Sequence, residues 1–141
     1  MKKEFVPYNV AKRLKDLGFD EKCFGYYGID YGTGYEFVSE IYRNSSENLV
    51  RRGFITAPLW QQVTRWLRDV HKIKVTIDFY PNTKKWSSFS FSMDLNGKEY
   101  VKERSMKKFM EMEKFDTYEE ALESEIINIV NHWKKHKTVQ N

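Results

Sequence analysis

Arginines, rings and amides gather in the middle of this sequence. Arg51, Arg52, Arg65 and Arg68 lie close in the chain to Trp60, Gln61 and Gln62, and Tyr26, Tyr27 and Tyr31 stand upstream. A guanidinium offers a planar fork suited to phosphate or carboxylate, and a face that stacks on rings. Aromatic side chains stack bases, each contact contributing about 1 to 3 kcal/mol in single-strand binders. A glutamine amide can read a base edge. These ten residues spell a binding site for an anionic, base-containing ligand, either a nucleotide or single-stranded nucleic acid. Residues 43–72 hold Arg43, Arg51, Arg52, Arg65, Arg68 and Lys72 against Glu47 and Asp69, an excess equal to the net +4 of the whole chain. The same residues also admit a plainer reading, a solvated basic face. Neighbours on a strand point to opposite sides, so one of Tyr26 and Tyr27 is expected in the core, and Trp60 can seal its edge.

Other chemistries have less behind them. The three histidines are His71, His132 and His136. His132 and His136 have the i, i+4 spacing of a helical two-histidine site, but no Glu follows the first and Lys134 and Lys135 lie between them, which reads as a cationic helix end. Cys23 is the single cysteine. It has no disulfide partner and sits beside Phe24 at a strand start, so it reads as a small buried residue rather than a nucleophile. Gly32 and Gly34 lack the third glycine and the following helix of a dinucleotide fingerprint, and a hairpin turn suffices for them. No metal, no cofactor and no catalytic residue is expected, and the protein reads as non-enzymatic.

The elements that must position these groups follow from periodicity. Pro7 to Leu17 reads as a helix, with Val10, Leu14 and Leu17 on one side and Gly18-Phe19 as its cap. Cys23 to Asp30 and Tyr35 to Arg43 form a hairpin around Tyr31-Gly32-Thr33-Gly34, and the polar stretch 44–53 reads as a loop. Thr56-Ala57-Pro58 opens a helix to Val70 whose Leu59, Val63, Trp66, Leu67 and Val70 face the core, with Trp60, Gln61, Arg65 and Arg68 off that stripe. Ile73, Val75, Ile77 and Phe79, then Phe89, Phe91, Met93 and Leu95, alternate with polar residues, predicting an antiparallel sheet with one wet face. Asn96-Gly97 is a turn signal, with a third strand over Lys98 to Arg104, and 105–115 is read as strand. Thr117-Tyr118-Glu119-Glu120 spells a capping box for a last helix, buried through Tyr118, Leu122, Ile126, Ile129, Val130 and Trp133.

The order α-β-β-α-β-β-β-α predicts a single α+β domain over residues 1–141, with three helices on one face of an antiparallel sheet of four to six strands. The 141 residues and 17.0 kDa suit one domain, large enough to need neither disulfide nor structural metal. No apolar run is long enough to span a membrane, and no signal peptide follows the basic first residues. A soluble cytoplasmic protein, with no membrane partner, is expected.

Three stretches carry a resemblance. They are Glu4-Phe5-Val6-Pro7-Tyr8 continuing through Leu17-Gly18-Phe19-Asp20-Glu21 and Cys23-Phe24-Gly25-Tyr26-Tyr27, then Ala57-Pro58-Leu59-Trp60-Gln61-Gln62 with Trp66 and Arg68, and Thr117-Tyr118-Glu119-Glu120-Ala121. Together the chain resembles an uncharacterised family of small proteins encoded by phages and mobile elements of gut Bacteroidetes. It departs from that pattern between Asp30 and Gly53, where it carries extra residues, and beyond His136. The resemblance implies an accessory protein of a mobile element, working in the host cytoplasm, and transfers no functional residue. In that setting the expected function is a binding module that sequesters a host defence nucleotide, a counter-defence role, or masks a nucleic acid. The alternative is a protein-interaction module or inhibitor of a host protein, possibly a homo-oligomer, built on exposed aromatics and arginines.

Overall fold

The structure, a computed structural model, describes residues 2–30, 34–92 and 113–139. It is an α+β fold whose contacts divide it into two compact units, Met1–Val63 and Thr64–Asn141.

In the first unit, α1 (Tyr8–Asp16) starts directly after Pro7 and buries Val10, Ala11 and Leu14. Gly18 takes a left-handed φ of 93°. Its N–H then donates to Lys15 O and that of Phe19 to Leu14 O, both at 3.0 Å, which satisfies the last carbonyls and carries Phe19 into the core. The same ending recurs where a loop was expected. Over 44–53 the chain forms α2 (Glu47–Arg52), closed by Gly53 at φ 68°, with Gly53 N–H on Val50 O and Phe54 N–H on Leu49 O. Leu14 to Phe19 and Leu49 to Phe54 share the spelling Leu-x-x-x-Gly-Phe, and that cap, together with the burial of Leu49, outweighs the polar composition.

The hairpin forms as β1 (Tyr26–Asp30) and β2 (Gly34–Val38), antiparallel in unbroken register from Tyr26↔Val38 to Asp30↔Gly34. Its turn at 31–33, and Tyr31 with it, lies outside the described residues. An unforeseen two-residue strand, β3 (Ile55–Thr56), pairs with the start of β1 and gives the sheet order β2-β1-β3. Two residues are too few to show a period.

The unit boundary falls within α3 (Trp60–His71). Val63, Trp66 and Leu67 are buried as the stripe requires, but Val70 is 58% exposed and Trp60 only 8%. The buried stripe is thus shifted by a turn towards the helix start, because the Trp60 indole has a backbone acceptor to reach.

In the second unit β4 (Ile73–Tyr80) and β5 (Lys85–Ser92) form a separate two-stranded antiparallel sheet, and Phe115 adds a single bridge to Trp86. α4 (Tyr118–Val139) packs on both strands through Ala121, Leu122, Ile126, Ile129 and Val130. Its capping box forms as spelled, with Glu120 N–H on Thr117 Oγ1 and Thr117 N–H on Glu120 Oε2. Tyr118, expected in the stripe, is 43% exposed. The serine face of β5 is not the wet one. Register places Ser88 opposite Ile77 and Ser90 opposite Val75, so these serines share the face that meets α4. There Ser90 Oγ donates to Glu125 Oε1 at 2.7 Å and Ser88 Oγ to Oε2 at 3.4 Å, and Glu125 is buried. A period of two shows that sides alternate; it does not show which side is inward when a buried carboxylate satisfies the hydroxyls. The described residues therefore hold four α-helices and two antiparallel sheets rather than three helices on one sheet. The Asn96-Gly97 turn, the strand at 98–104, most of 105–115 and the side chain of Trp133 lie outside the described residues.

Candidate functional site

β1 carries tyrosines to both faces of its sheet, and the two faces have different uses. On one, the Tyr27 hydroxyl donates to Val6 O at 2.5 Å while its ring meets the edges of Tyr8 and Phe37. The segment that it holds also pairs with the entry to α3, since Val6 N–H donates to Pro58 O at 2.9 Å. Trp60 completes this clasp by donating its indole N–H to Lys3 O at 3.1 Å. Burial pushes the Tyr27 phenol above its usual range. Gln62 is likewise engaged: its Nε2 donates to Lys22 O at 2.7 Å and to Glu21 Oε2 at 3.3 Å. Tyr27, Trp60 and Gln62 thus meet the chain's own backbone.

The opposite face is open. The Tyr26 ring lies parallel to that of Phe54, with centroids 5.6 Å apart and planes 14° from each other, and Tyr42 meets Tyr26 edge-on at 5.5 Å. Phe54 is placed here by the α2 cap, and its ring covers the bare backbone of Gly28, 3.5 Å from where a Cβ would stand. The Arg52 guanidinium lies 5.9 Å from the Phe54 ring centre, which is within the range of a cation–π contact. All three rings are partly exposed, and Arg51 and Arg52 are exposed on the last turn of α2. Neither arginine is in an ion pair among the described residues. The Tyr26 phenol is raised, first by burial and then by the charges of Glu40 and Tyr42, with Arg52 pulling the other way and Glu36 adding a smaller push. Cations thus mark the α2 end of this platform and carboxylates the β2 end.

Of the ten residues singled out from sequence, Tyr26 and Arg52 meet here, and Arg51 stands beside Arg52 on α2 with its guanidinium donating to Asn48 Oδ1 at 3.4 Å. Phe54 and Tyr42 were missed, although the repeated Leu-x-x-x-Gly-Phe ending was a legible signal for Phe54. Gln61 is exposed on α3 in the first unit. Arg65 and Arg68 belong to the second unit, where both are exposed and Arg68 pairs with Asp69 at 3.0 Å.

Cys23 is fully buried, and its thiol is pushed up to about 11, chiefly by burial, with Thr56 and Gln62 pulling it down and the charges of Glu21 and Asp20 pushing it further up. It is a protonated thiol at neutral pH and a poor nucleophile. Asn44 is buried and spans two segments, donating from Nδ2 to Phe19 O at 2.8 Å and accepting at Oδ1 from Thr56 N–H at 3.0 Å. No group of three His, Cys, Asp or Glu side chains among the described residues is placed to hold a metal ion. Comparison with protein-family models, with curated proteins and with solved structures found no match for the chain.

Proposed function

We propose that the chain is a non-enzymatic binding module for an anionic, base-containing ligand, taken at the Tyr26–Phe54–Arg52 platform. The observation that supports this reading is the parallel Tyr26–Phe54 stack with a guanidinium beside it and a second arginine, Arg51, on the same helix turn. A base would stack on the exposed ring surface, and its phosphate would lie at the α2 end, away from Glu36 and Glu40. Held this way, a nucleotide would be sequestered rather than transformed. That is the counter-defence role expected of a mobile-element accessory protein.

Calorimetric titration with a cyclic dinucleotide and with a twelve-residue oligothymidylate, at low and physiological salt, tests the reading. Binding of either is expected to weaken about tenfold in Arg52→Ala and in Tyr26→Ala. A steep salt dependence with the oligonucleotide alone marks a nucleic-acid binder, and a shallow one with the cyclic dinucleotide marks sequestration. Binding to neither, or equal binding by the wild type and both variants, refutes it.

A further inference from the structure

The β2 edge has a character of its own. Residues 23–42 contain Asp30, Glu36 and Glu40 and no Lys or Arg, within a chain of net charge +4. β2 lies at one end of the order β2-β1-β3, so among the described residues its outer backbone N–H and C=O groups have no strand beside them. Sheet edges are ordinarily blunted by charged side chains, lysine above all, by proline or by a bulge, and the one charge on β2 is the carboxylate of Glu36. Gly34–Val38 contains no lysine or proline, and its ladder with β1 is unbroken. Tyr35 is 51% exposed, and Ile29, directly opposite it on β1, is 54% exposed. The Tyr35 ring stacks on Tyr8, with centroids 3.4 Å apart. Glu36 and Glu40 are exposed, and neither is in an ion pair among the described residues.

From this we infer that β2 accepts an extended cationic segment of a partner protein as an added antiparallel strand. Backbone hydrogen bonds supply the pairing, as in other cases of strand addition, and alternate side chains supply the choice of partner. Side chains of the added strand on one face lie against Tyr35 and Ile29, where apolar groups fit. Those on the other lie beside Glu36, where lysine or arginine fits, and Glu40 extends the acidic stretch past the strand end. A second copy of this chain is a poor occupant, because its own β2 would bring further carboxylates against Glu36 and Glu40. The inference does not rest on the ligand reading above, since it uses the other edge of the hairpin and the opposite charge.

The probe is an acetylated, amidated decapeptide of alternating Lys and Val, titrated into the isotope-labelled full chain and followed through backbone amide resonances at physiological salt. Shifts centred on Gly34–Val38 are expected. Binding should weaken at least about tenfold when Glu replaces Lys in the peptide, in Glu36→Lys, and when alternate peptide nitrogens are methylated. Glu40→Lys, a change beyond the strand end, should weaken it less and guards against a folding defect in Glu36→Lys. Equal binding of the methylated peptide, shifts centred elsewhere, or no binding at all would overturn the inference. So would sedimentation showing that the chain alone dimerises and that Glu36→Lys alters this, since a second copy would then be the occupant.

Discussion

Tyr26 and Tyr27 are adjacent in the chain and alike in chemistry, yet the two faces of β1 put them to opposite uses. Tyr27 ends on the Val6 carbonyl inside a clasp that also takes the Trp60 indole; Tyr26 spreads its ring beside Phe54 and the Arg52 guanidinium, partly in solvent. A polar tip on an aromatic body serves the fold where a buried carbonyl lacks a partner. On the other face no backbone acceptor takes the Tyr26 hydroxyl among the described residues, and the ring rests on Phe54 and Tyr42 instead.

This contrast can be broken at several points. The largest effect is expected from Trp60→Ala, which should cost about 3 to 5 kcal/mol in urea denaturation, through lost burial and the freed Lys3 carbonyl. A smaller loss would mean that the clasp contributes little. A second effect is driven by pH. The Cys23 thiol is raised to about 11 in the fold, chiefly by burial, against 9.0 for a free thiol. Folding therefore keeps the proton that the unfolded chain releases, so the thiol's contribution to stability should be constant below about pH 9 and fall as pH rises towards 11. Cys23→Ala should flatten that fall, and a thiol reagent at pH 8 should react only on unfolding. Tyr27→Phe comes next: it leaves the ring packing and orphans the Val6 carbonyl, for about 1 kcal/mol. Arg52→Ala on the open face should change stability least, by under about 1 kcal/mol, the size of an exposed cation–π contact. If Arg52→Ala destabilised the chain more than Tyr27→Phe, the platform would be a structural staple and the contrast between the faces would disappear.

Much of the scaffold could be read before folding was considered. The cap at Gly18-Phe19, the box at Thr117 and Glu120, and a hairpin all form, because each is encoded within a few residues by a turn, a cap or a period; the hairpin expected over Cys23 to Asp30 and Tyr35 to Arg43 pairs over the shorter Tyr26 to Asp30 and Gly34 to Val38. Where a helix lacked a clear apolar stripe, as at Glu47–Arg52, composition misled, although its Leu-x-x-x-Gly-Phe ending was present. Of the candidate site, the sequence supplied residue types and not their directions. Tyr26 and Arg52 come together around Phe54, while Tyr27, Trp60 and Gln62 are engaged by Val6, Lys3 and Lys22. In β5 the alternation was legible and its sense was not, since Glu125, 35 residues further along than Ser90, makes the serine side the inner one.

Helices and strands with local signals, the acidic character of residues 23–42 and the excess of arginine that follows are legible in the order of residues. Which face of each element turns inward, and which rings stay partly exposed, emerges from the folded arrangement. Those choices depend on backbone carbonyls and carboxylates far away along the chain, and each is settled by which buried polar group would otherwise go without a partner.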